Sequence, residues 1–315
     1  MYKELLEEIR KYDTIVIHRH SNPDGDAIGS QIGMKHLIMA NFPEKKVYTV
    51  GDPAGRYSFM DESVMDEVED SVFDNALAVV LDCGGANMVN DERYKTAKAN
   101  ARIDHHMFTG NFTSTEVIDT TFESCCGIIA DIIKTEGLKI DEIGAKSLFT
   151  GMVTDSGRFR YDSTTSRTFE LAAFLTEKGK IDFNDLYSKM YAEDFEGLKR
   201  KSEFILKIQF TEHNVAYIYT DAAEVERRVA EGMTPFGISR GMVGTMGDIK
   251  GVDIWVNFTE SEGKVLCELR SSKYNINPIA VKYGGGGHEK ASGATVEDRS
   301  VAMKMLADLD AMMIG

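Results

Sequence analysis

The chain reads as an α/β protein, a doubly wound and mainly parallel sheet joined by a long helix to a smaller α+β domain. Three observations predict this. In the first half, short β-branched runs without helical period alternate with stretches of helical spacing. Around residues 190 to 210 a charged amphipathic run intervenes. Beyond it, strands of alternating polarity recur with helical stretches before and after. At 315 residues the chain exceeds the usual single-domain size. The expected division is residues 1–190, a connecting helix over 191–210, and 211–315.

Each element follows from its residues. Leu5, Leu6 and Ile9 stand among charges, an amphipathic helix that lacks the apolar stretch of a signal peptide. A cytoplasmic protein is therefore expected. Asp13-Thr-Ile-Val-Ile-His-Arg19 is apolar and β-branched, a buried parallel strand that ends near His20. Pro23 forces a turn, and Asp26 is placed as the N-cap of a helix over residues 27–39. Residues 46–50 and 76–81 read as further strands, and 101–103 as a short one leading into His105 and His106. Helices are expected near residues 124–136, 143–154 and 165–179, the last with Thr164 and Thr165 as its N-cap region. Residues 184–208, with Leu186, Met190, Phe195, Leu198 and Ile205, read as one long helix. Strands then fall at 215–219, 252–258 and 264–270. No internal repeat is present, and the one low-complexity stretch is residues 284–287.

Composition excludes several classes. With 43% hydrophobic and 28% charged residues the chain is neither disordered nor fibrous, and nothing in it reads as a membrane span. The 51 acidic residues against 36 basic ones give a net charge of −15, which argues against a groove for long DNA or RNA. A short anionic substrate gripped by a few local arginines remains. Cys83, Cys125, Cys126 and Cys267 show no C-x-x-C spacing, and neighbours such as Cys125 and Cys126 are poor disulfide partners, so reduced thiols are expected.

Chemistry concentrates in four runs. They are His20-Ser-Asn-Pro-Asp24-Gly-Asp26, the Asp82 that ends a strand, Asp104-His105-His106, and Thr154-Asp155. Carboxylates with a few imidazoles suit two divalent ions about 3.5 to 4 Å apart, which clamp the attacking and leaving oxygens of a displacement at phosphorus. Asp24 and Asp26 flank Gly25, so their carboxylates can diverge to different ions, and Asp82 on a strand end can bridge the two. Adjacent His105 and His106 in an extended segment would point to opposite sides, so one is a ligand and the other meets substrate. His18 shares a strand face with His20 and is read as packing, because His20 has the tighter turn relation to Asp24. His36 and His213 are read as structural or solvated, and Cys83 as a structural thiol. Any one of these aspartates alone would be an ordinary cap or surface charge. In open sheets ligands gather beyond the carboxyl ends of strands, where these runs lie.

The motifs His20-x-Asn-Pro-Asp24-Gly-Asp26, Asp82, Asp104-His105-His106 and Thr154-Asp155 resemble, in order and approximate distance, those of the DHH phosphoesterase superfamily. Gly284-Gly-Gly-Gly-His288-Glu-Lys-Ala-Ser292-Gly-Ala is similar to the glycine-rich signature of the DHH-associated nucleotide-binding domain. Within the superfamily the chain looks like the nanoRNase subgroup. That resemblance implies His20, Asp24 and Asp82 on a first ion, Asp26, Asp82, His105 and Asp155 on a second, and His106 at the scissile phosphate. It implies residues 1–190 as catalytic domain and 211–315 as substrate-binding domain. It also implies hydrolysis of short oligoribonucleotides to mononucleotides and dephosphorylation of 3'-phosphoadenosine 5'-phosphate (pAp).

Imidazole plus carboxylate without thiolate disfavours calcium and structural zinc and points to Mn²⁺, with Mg²⁺ as a substitute. Dications lower the pKa of water toward about 7, which supplies hydroxide as nucleophile. The expected catalytic pair is Asp82 and His106. Backbone N–H groups of Gly286 and Gly287, with His288, would curl round a second phosphate, and Arg270, Ser271 and Ser292 would stand near it. Arg158, just after Asp155, would approach the scissile phosphate or a base. The two domains would then act as a ruler for short RNA oligonucleotides and small nucleotides, and a homodimer is allowed. Two other readings stand beside this one: a phosphodiesterase for the linear dinucleotide pApA from cyclic dinucleotide turnover, and a non-catalytic nucleotide sensor.

Overall fold

The run Ala-Leu-Ala-Val-Val-Leu at residues 76–81 has no polar side chain, so it must be covered on both faces, and it forms the centre of the first sheet. In the computed structural model, which describes residues 2–107 and 110–314, the chain divides into two units, Met1–Ala192 and Glu193–Gly315. The first unit runs α1 (Tyr2–Lys11), β1 (Thr14–His18), α2 (Gly25–Asn41), β2 (Lys46–Thr49), β3 (Ala76–Leu81), β4 (Ala99–Asp104) and β5 (Thr115–Ile118). Helices α3 (Cys125–Thr135), α4 (Glu142–Asp155), α5 (Ser166–Gly179) and α6 (Phe183–Tyr191) follow.

The sheet order is β2-β1-β3-β4-β5, and every neighbouring pair is parallel. The expected doubly wound parallel sheet is thus observed. From β1 the chain moves outward to β2, then returns past β1 to β3, so the winding reverses between β1 and β3. A crevice opens beyond the carboxyl ends of two strands at such a reversal. One face carries Ile15, Ile17, Leu77, Val79 and Ile103 into a core with residues of α1 to α5. The other carries Val16, Ala78 and Val80 beneath Phe73, Val89 and Tyr94, supplied by short 3₁₀ turns and loops rather than long helices. Strand β5 was not predicted, because Thr-Glu-Val-Ile is too short to establish a period.

The expected single helix over 184–208 is two helices, α6 and α7 (Phe195–Ile205). Asp194 explains the break. Its extended backbone and its carboxylate, which accepts the Gly197 N–H at 2.6 Å, start α7 afresh. The second unit continues with β6 (Gln209–Phe210), β7 (Ala216–Thr220), α8 (Ala222–Ala230), α9 (Pro235–Arg240), β8 (Ile254–Ser261) and β9 (Lys264–Ser271). It ends with α10 (Asn277–Lys282), β10 (Gly286–His288), β11 (Ala291–Val296) and α11 (Arg299–Ala311). Its sheet has the order β10-β11-β9-β8-β7-β6, antiparallel except for β7 beside β8. Val256, Phe258, Cys267 and Leu269 pack on Ile276, Ala280, Met305 and Leu309, while Trp255 packs on Val243 and Met246 on the opposite face. Among the described residues no helix is long and apolar enough to cross a membrane.

Candidate metal centre

His20 follows β1 and Asp82 ends β3, so the winding reversal itself brings the first two motifs together. The His20 Nδ1 lies 2.8 Å from the Ser21 carbonyl, which accepts its proton and leaves the Nε2 lone pair free. Nε2 stands 3.8 Å from Asp24 Oδ1 and 3.5 Å from Asp82 Oδ2. Buried Arg19 pins this turn, donating from Nη1 to the His20 carbonyl at 3.2 Å and from Nε to Gln31 Oε1 at 2.9 Å. His18 turns instead into the covered face of the sheet, its ring 5.8 Å from Phe73 and 6.1 Å from Tyr94.

The N-cap of α2 is Asp24, not Asp26. Asp24 has the extended backbone a cap needs, and its Oδ1 accepts the N–H groups of Asp26 and Ala27 at 3.0 Å each. Asp26 is already helical, and its carboxylate is held by another helix. Oδ2 accepts the Cys125 N–H at 2.7 Å and Oδ1 the Cys126 N–H at 2.9 Å, at the positive N-terminus of α3. Both carboxylates are therefore fixed by backbone.

Asp82 is the hinge of the cluster. Its φ of +55° is left-handed, a strained conformation that aspartate tolerates better than most residues. Oδ1 lies 3.5 Å from both His105 Nε2 and His106 Nδ1, while Oδ2 faces His20. Oδ1 is buried without a hydrogen-bond partner.

His105 and His106 do not point to opposite sides. Strand β4 ends at Asp104, so the alternation lapses, and the two rings tilt together with centroids 4.5 Å apart beside the same Asp82 oxygen. His105 Nε2 also lies 3.8 Å from Asp26 Oδ2 and 3.4 Å from Asp155 Oδ2. Asp155 is the last residue of α4. His106 Nδ1 lies 2.8 Å from Asp104 Oδ1, a contact to which sequence reasoning assigned no role, although Asp104 stands in the same run.

Three groups result: His20, Asp24 and Asp82; Asp26, His105 and Asp155; and Asp82, His105 and His106. Within each, the potential ligand atoms lie within 4.8 Å of one another. Ligand atoms roughly 2.1 Å from a shared ion are themselves roughly 3 to 3.5 Å apart, so the observed separations suit a cation between them. Electrostatics agree. Burial, with Asp82 and Asp155 nearby, pushes Asp26 far above the usual carboxylate range. Burial likewise raises Asp155 to about 7. Burial opposes charge on His20 and His105, yet the surrounding carboxylates outweigh it and lift them to about 11 and about 10. Burial also raises Asp82, but His105 and His20 outweigh it and hold that carboxyl below its ordinary value. A pocket that binds protons this tightly in place of cations, and leaves a buried carboxylate oxygen unpaired, fits divalent ions.

The two helices that carry Asp26 and Asp155 meet through glycines. Gly25, Gly29 and Gly33 recur at four-residue spacing along α2 and face α4. A Cβ on Gly29 would lie 2.5 Å from the Ser147 carbonyl, and one on Gly151 of α4 would lie 2.3 Å from Cys126 Sγ and 3.1 Å from the Asp26 Cα. The spacing was visible in the sequence and was not used there.

Arg158 is exposed beside Tyr191. In the second unit, residues 286–288 are not a curled loop but the edge strand β10, paired in register Gly286↔Gly293, Gly287↔Ser292 and His288↔Ala291. A Cβ at Gly287 would press 2.6 Å from the Ala291 carbonyl, so glycine there serves close strand pairing. Arg270 lies opposite Ala291 and therefore shares a face with His288, and its Nη1 lies 3.1 Å from Glu268 Oε2. The other Glu268 oxygen holds Arg240 at 2.8 Å. The Ser271 hydroxyl is engaged by the Asp253 carbonyl and the Tyr274 N–H, and that of Ser292 donates to the His288 carbonyl at 2.7 Å. Those bonds give both serines a role in shaping the hairpin and the turn beneath it. All four cysteines are buried and free, while His36 bonds Asp141 and His213 bonds Asp310.

Residues 14–152 match the family described as DHH family, N-terminal domain, and residues 215–314 match the DHHA1 domain. The chain is 31% identical to the bifunctional oligoribonuclease and PAP phosphatase NrnA of Bacillus subtilis (strain 168), over 99% of this chain and 98% of that protein. The chain belongs to the DHH family. Another DHH relative, the probable bifunctional oligoribonuclease and PAP phosphatase NrnA of Streptococcus mutans, is 33% identical over 93% of each chain. The crystal structure of an exopolyphosphatase-related protein from Bacteroides fragilis superposes with a TM-score of 0.86 at 24% identity, covering 100% of this chain and 97% of that one. That likeness concerns the DHH fold.

Proposed function

We propose that this DHH protein is a two-metal phosphoesterase that hydrolyses short oligoribonucleotides to mononucleotides and removes a phosphate from pAp. The observation that carries the reading is the division of Asp82, one carboxylate oxygen facing His20 and the other facing His105 and His106. The names of the full-length relatives support the substrate class. In this reading His20, Asp24 and Asp82 hold one ion, and Asp26, Asp82, His105 and Asp155 the other, with Mn²⁺ preferred to Mg²⁺ on donor chemistry.

Bound ions supply charge neutralisation at phosphorus and a lowered pKa for water. The protein supplies the rest. Asp82 fixes both groups in one frame, and helix N-termini hold Asp24 and Asp26 so that no reorganisation is needed. His106, held through Nδ1 by Asp104 and raised in pKa first of all by that bond, is biased toward its protonated form, which would offer Nε2–H to a phosphate oxygen. Asp82 and His106 are thus the catalytic pair. Arg158 in the first unit, and Arg270, Gly286, Gly287 and His288 in the second, are assigned to further substrate contacts, with Ser271 and Ser292 shaping the latter surface. Four buried free thiols support a reducing cytoplasm.

The test is a substrate panel with Mn²⁺: pAp, di- to pentaribonucleotides, pApA, long RNA and pyrophosphate. Release of mononucleotide from the short RNAs and of phosphate from pAp is expected. Activity on pyrophosphate alone would defeat the nucleotide reading, and activity confined to pApA would transfer it to cyclic dinucleotide turnover.

A further inference from the structure

Three consecutive residues after Asp155 have left-handed backbone: Gly157 at φ +57°, Arg158 at +64° and Phe159 at +63°. For Arg158 and Phe159 this conformation is strained and persists only where surrounding structure enforces it. Phe159 is the anchor, its ring packed 6.3 Å from Phe149 and 5.3 Å from Phe169, with its N–H donated to Ser156 Oγ at 2.9 Å. The strained turn therefore drives Phe159 inward and displays Arg158. The Arg158 guanidinium sits 5.3 Å from the centre of the Tyr191 ring.

A second loop repeats the arrangement. Arg56 lies 5.2 Å from the centre of the Tyr57 ring and donates from Nη2 to the Met190 carbonyl at 3.5 Å, one residue before Tyr191. Tyr57 is buried against Ile28 and Ile32 of α2, the helix that begins at the metal centre with Asp24 and Asp26, and burial raises its phenol. Arg158 over the Tyr191 ring, Tyr187 with its ring 5.7 Å from that of Tyr191, and Arg56 on the Met190 carbonyl stand together as one cluster.

Place in the fold sets these arginines apart, Arg158 three residues after Asp155 and Arg56 bonded to the residue before Tyr191. Arg10, Arg167 and Arg299 also lie over rings without a carboxylate within ion-pair distance among the described residues. Arg93, Arg102, Arg227, Arg228, Arg240 and Arg270 each lie within ion-pair distance of a carboxylate. Among the described residues, no carboxylate lies within that distance of Arg56 or Arg158, in a chain of net charge −15. A guanidinium over an aromatic ring without an acidic partner presents a flat cationic face to a planar ring and N–H donors to an anion. A base with its attached phosphate has both complements.

We infer that Arg56 and Arg158, seated over Tyr57 and Tyr191, form a nucleotide subsite at the metal centre that takes the base and adjoining phosphate of the unit next to the cleaved bond. The inference rests on the phosphoesterase reading above and adds where the first unit grips its substrate. A purely structural role, pinning α6 to the core, would not discriminate between substrates with and without a base.

The experiment compares kcat/KM for an adenine dinucleotide and for the same dinucleotide made abasic on either unit, with Mn²⁺, in wild type, Arg158→Asn, Tyr191→Ala and Tyr191→Phe. Asparagine tolerates the left-handed backbone and phenylalanine keeps the ring, so folding is preserved, and thermal unfolding checks it. Arg158→Asn and Tyr191→Ala are expected to lose about tenfold or more on the full dinucleotide through KM, with little loss on one abasic form, and Tyr191→Phe to stay near wild type. Equal losses on all substrates, or no loss on any, would overturn the subsite while leaving the phosphoesterase reading intact. Wild-type protein that cleaves no nucleotide would overturn that reading and the subsite with it.

Discussion

One oxygen of Asp104 accepts both the ring and the backbone of His106: Oδ1 lies 2.8 Å from Nδ1 and 3.3 Å from the backbone N. With Nδ1 and the main chain both held, the ring keeps one orientation, and Nε2 is the atom that the proposed function assigns to substrate.

Replacing Asp104 by Asn keeps the shape and turns into a neutral amide the carboxylate whose hydrogen bond raises the His106 pKa most. Because a raised imidazole stays protonated to higher pH, losing that partner moves the alkaline limb of kcat to lower pH. We expect kcat to fall roughly 10- to 100-fold with KM little changed. A pH–rate profile whose alkaline limb does not move would remove the pair from proton transfer.

Asp82→Asn keeps a residue that accepts left-handed backbone and deletes the shared charge. Mn²⁺ stoichiometry, measured by equilibrium dialysis, should fall below two. Mononucleotide release should drop by about a thousandfold or more, because interactions made by a catalytic unit are lost together. Retained activity would sink the two-metal model.

Protons and ions compete for the same atoms. Burial pushes the Asp155 carboxyl up from 3.8 to about 7, so the folded state binds its proton more tightly than the unfolded one. Stability from this group is present at low pH and lost as pH rises from about 4 to about 7. Mn²⁺ should reverse that loss, releasing protons as it binds, with affinity climbing across the same window. Titration calorimetry in buffers of different ionisation enthalpy reads the proton count, and a count of zero contradicts the assignment.

His18 gives the opposite sign. Burial against Phe73 and Tyr94 lowers its pKa from 6.5 to about 4, and neither ring nitrogen has a hydrogen-bond partner. A depressed imidazole must stay neutral to fold, so stability is lost as pH falls from 6.5 to about 4, by on the order of 3 kcal/mol. Urea denaturation of His18→Phe in chelator should show a correspondingly flatter acid limb than wild type.

What the sequence disclosed, and what it withheld, follows from range. His20, Asp24, Asp26, Asp82, His105 and Asp155 stand in short runs after apolar strands or a helix, so their identity and their convergence at one end of the sheet were both readable. Which aspartate caps α2 was not, because Asp24 and Asp26 are equally good caps by type and only the contact of Asp26 with α3 decides. The break at Asp194 was hidden by an apolar period that continues across it. Arg56 and Tyr191 lie far apart along the chain, and no local pattern joins them. The two serines read as phosphate ligands carry hydroxyls that β11 and the turn after β9 consume, a demand visible only once the hairpin is folded.

Gly29→Ala should behave unlike an ordinary glycine replacement in a helix. Alanine there would normally add up to about 1 kcal/mol of helix stability. Here the new Cβ would lie 2.5 Å from a backbone carbonyl of α4, which cannot swing away. We expect a loss of about 1 to 3 kcal/mol in thermal unfolding and weaker Mn²⁺ binding, since α2 and α4 must part.

At Gly29 and Gly151 backbone lies against backbone, so there the gap between α2 and α4, which carry Asp26 and Asp155, is a van der Waals distance and not a choice among rotamers. A side-chain spacer would act as a spring, with several rest lengths and a tolerance for cations of different radius. The bare contact acts as a gauge block with one. Donor chemistry alone ranks metals by a general order common to most proteins. A fixed gap would add a criterion of size, set by Gly29 and Gly151, which offer no side-chain ligand.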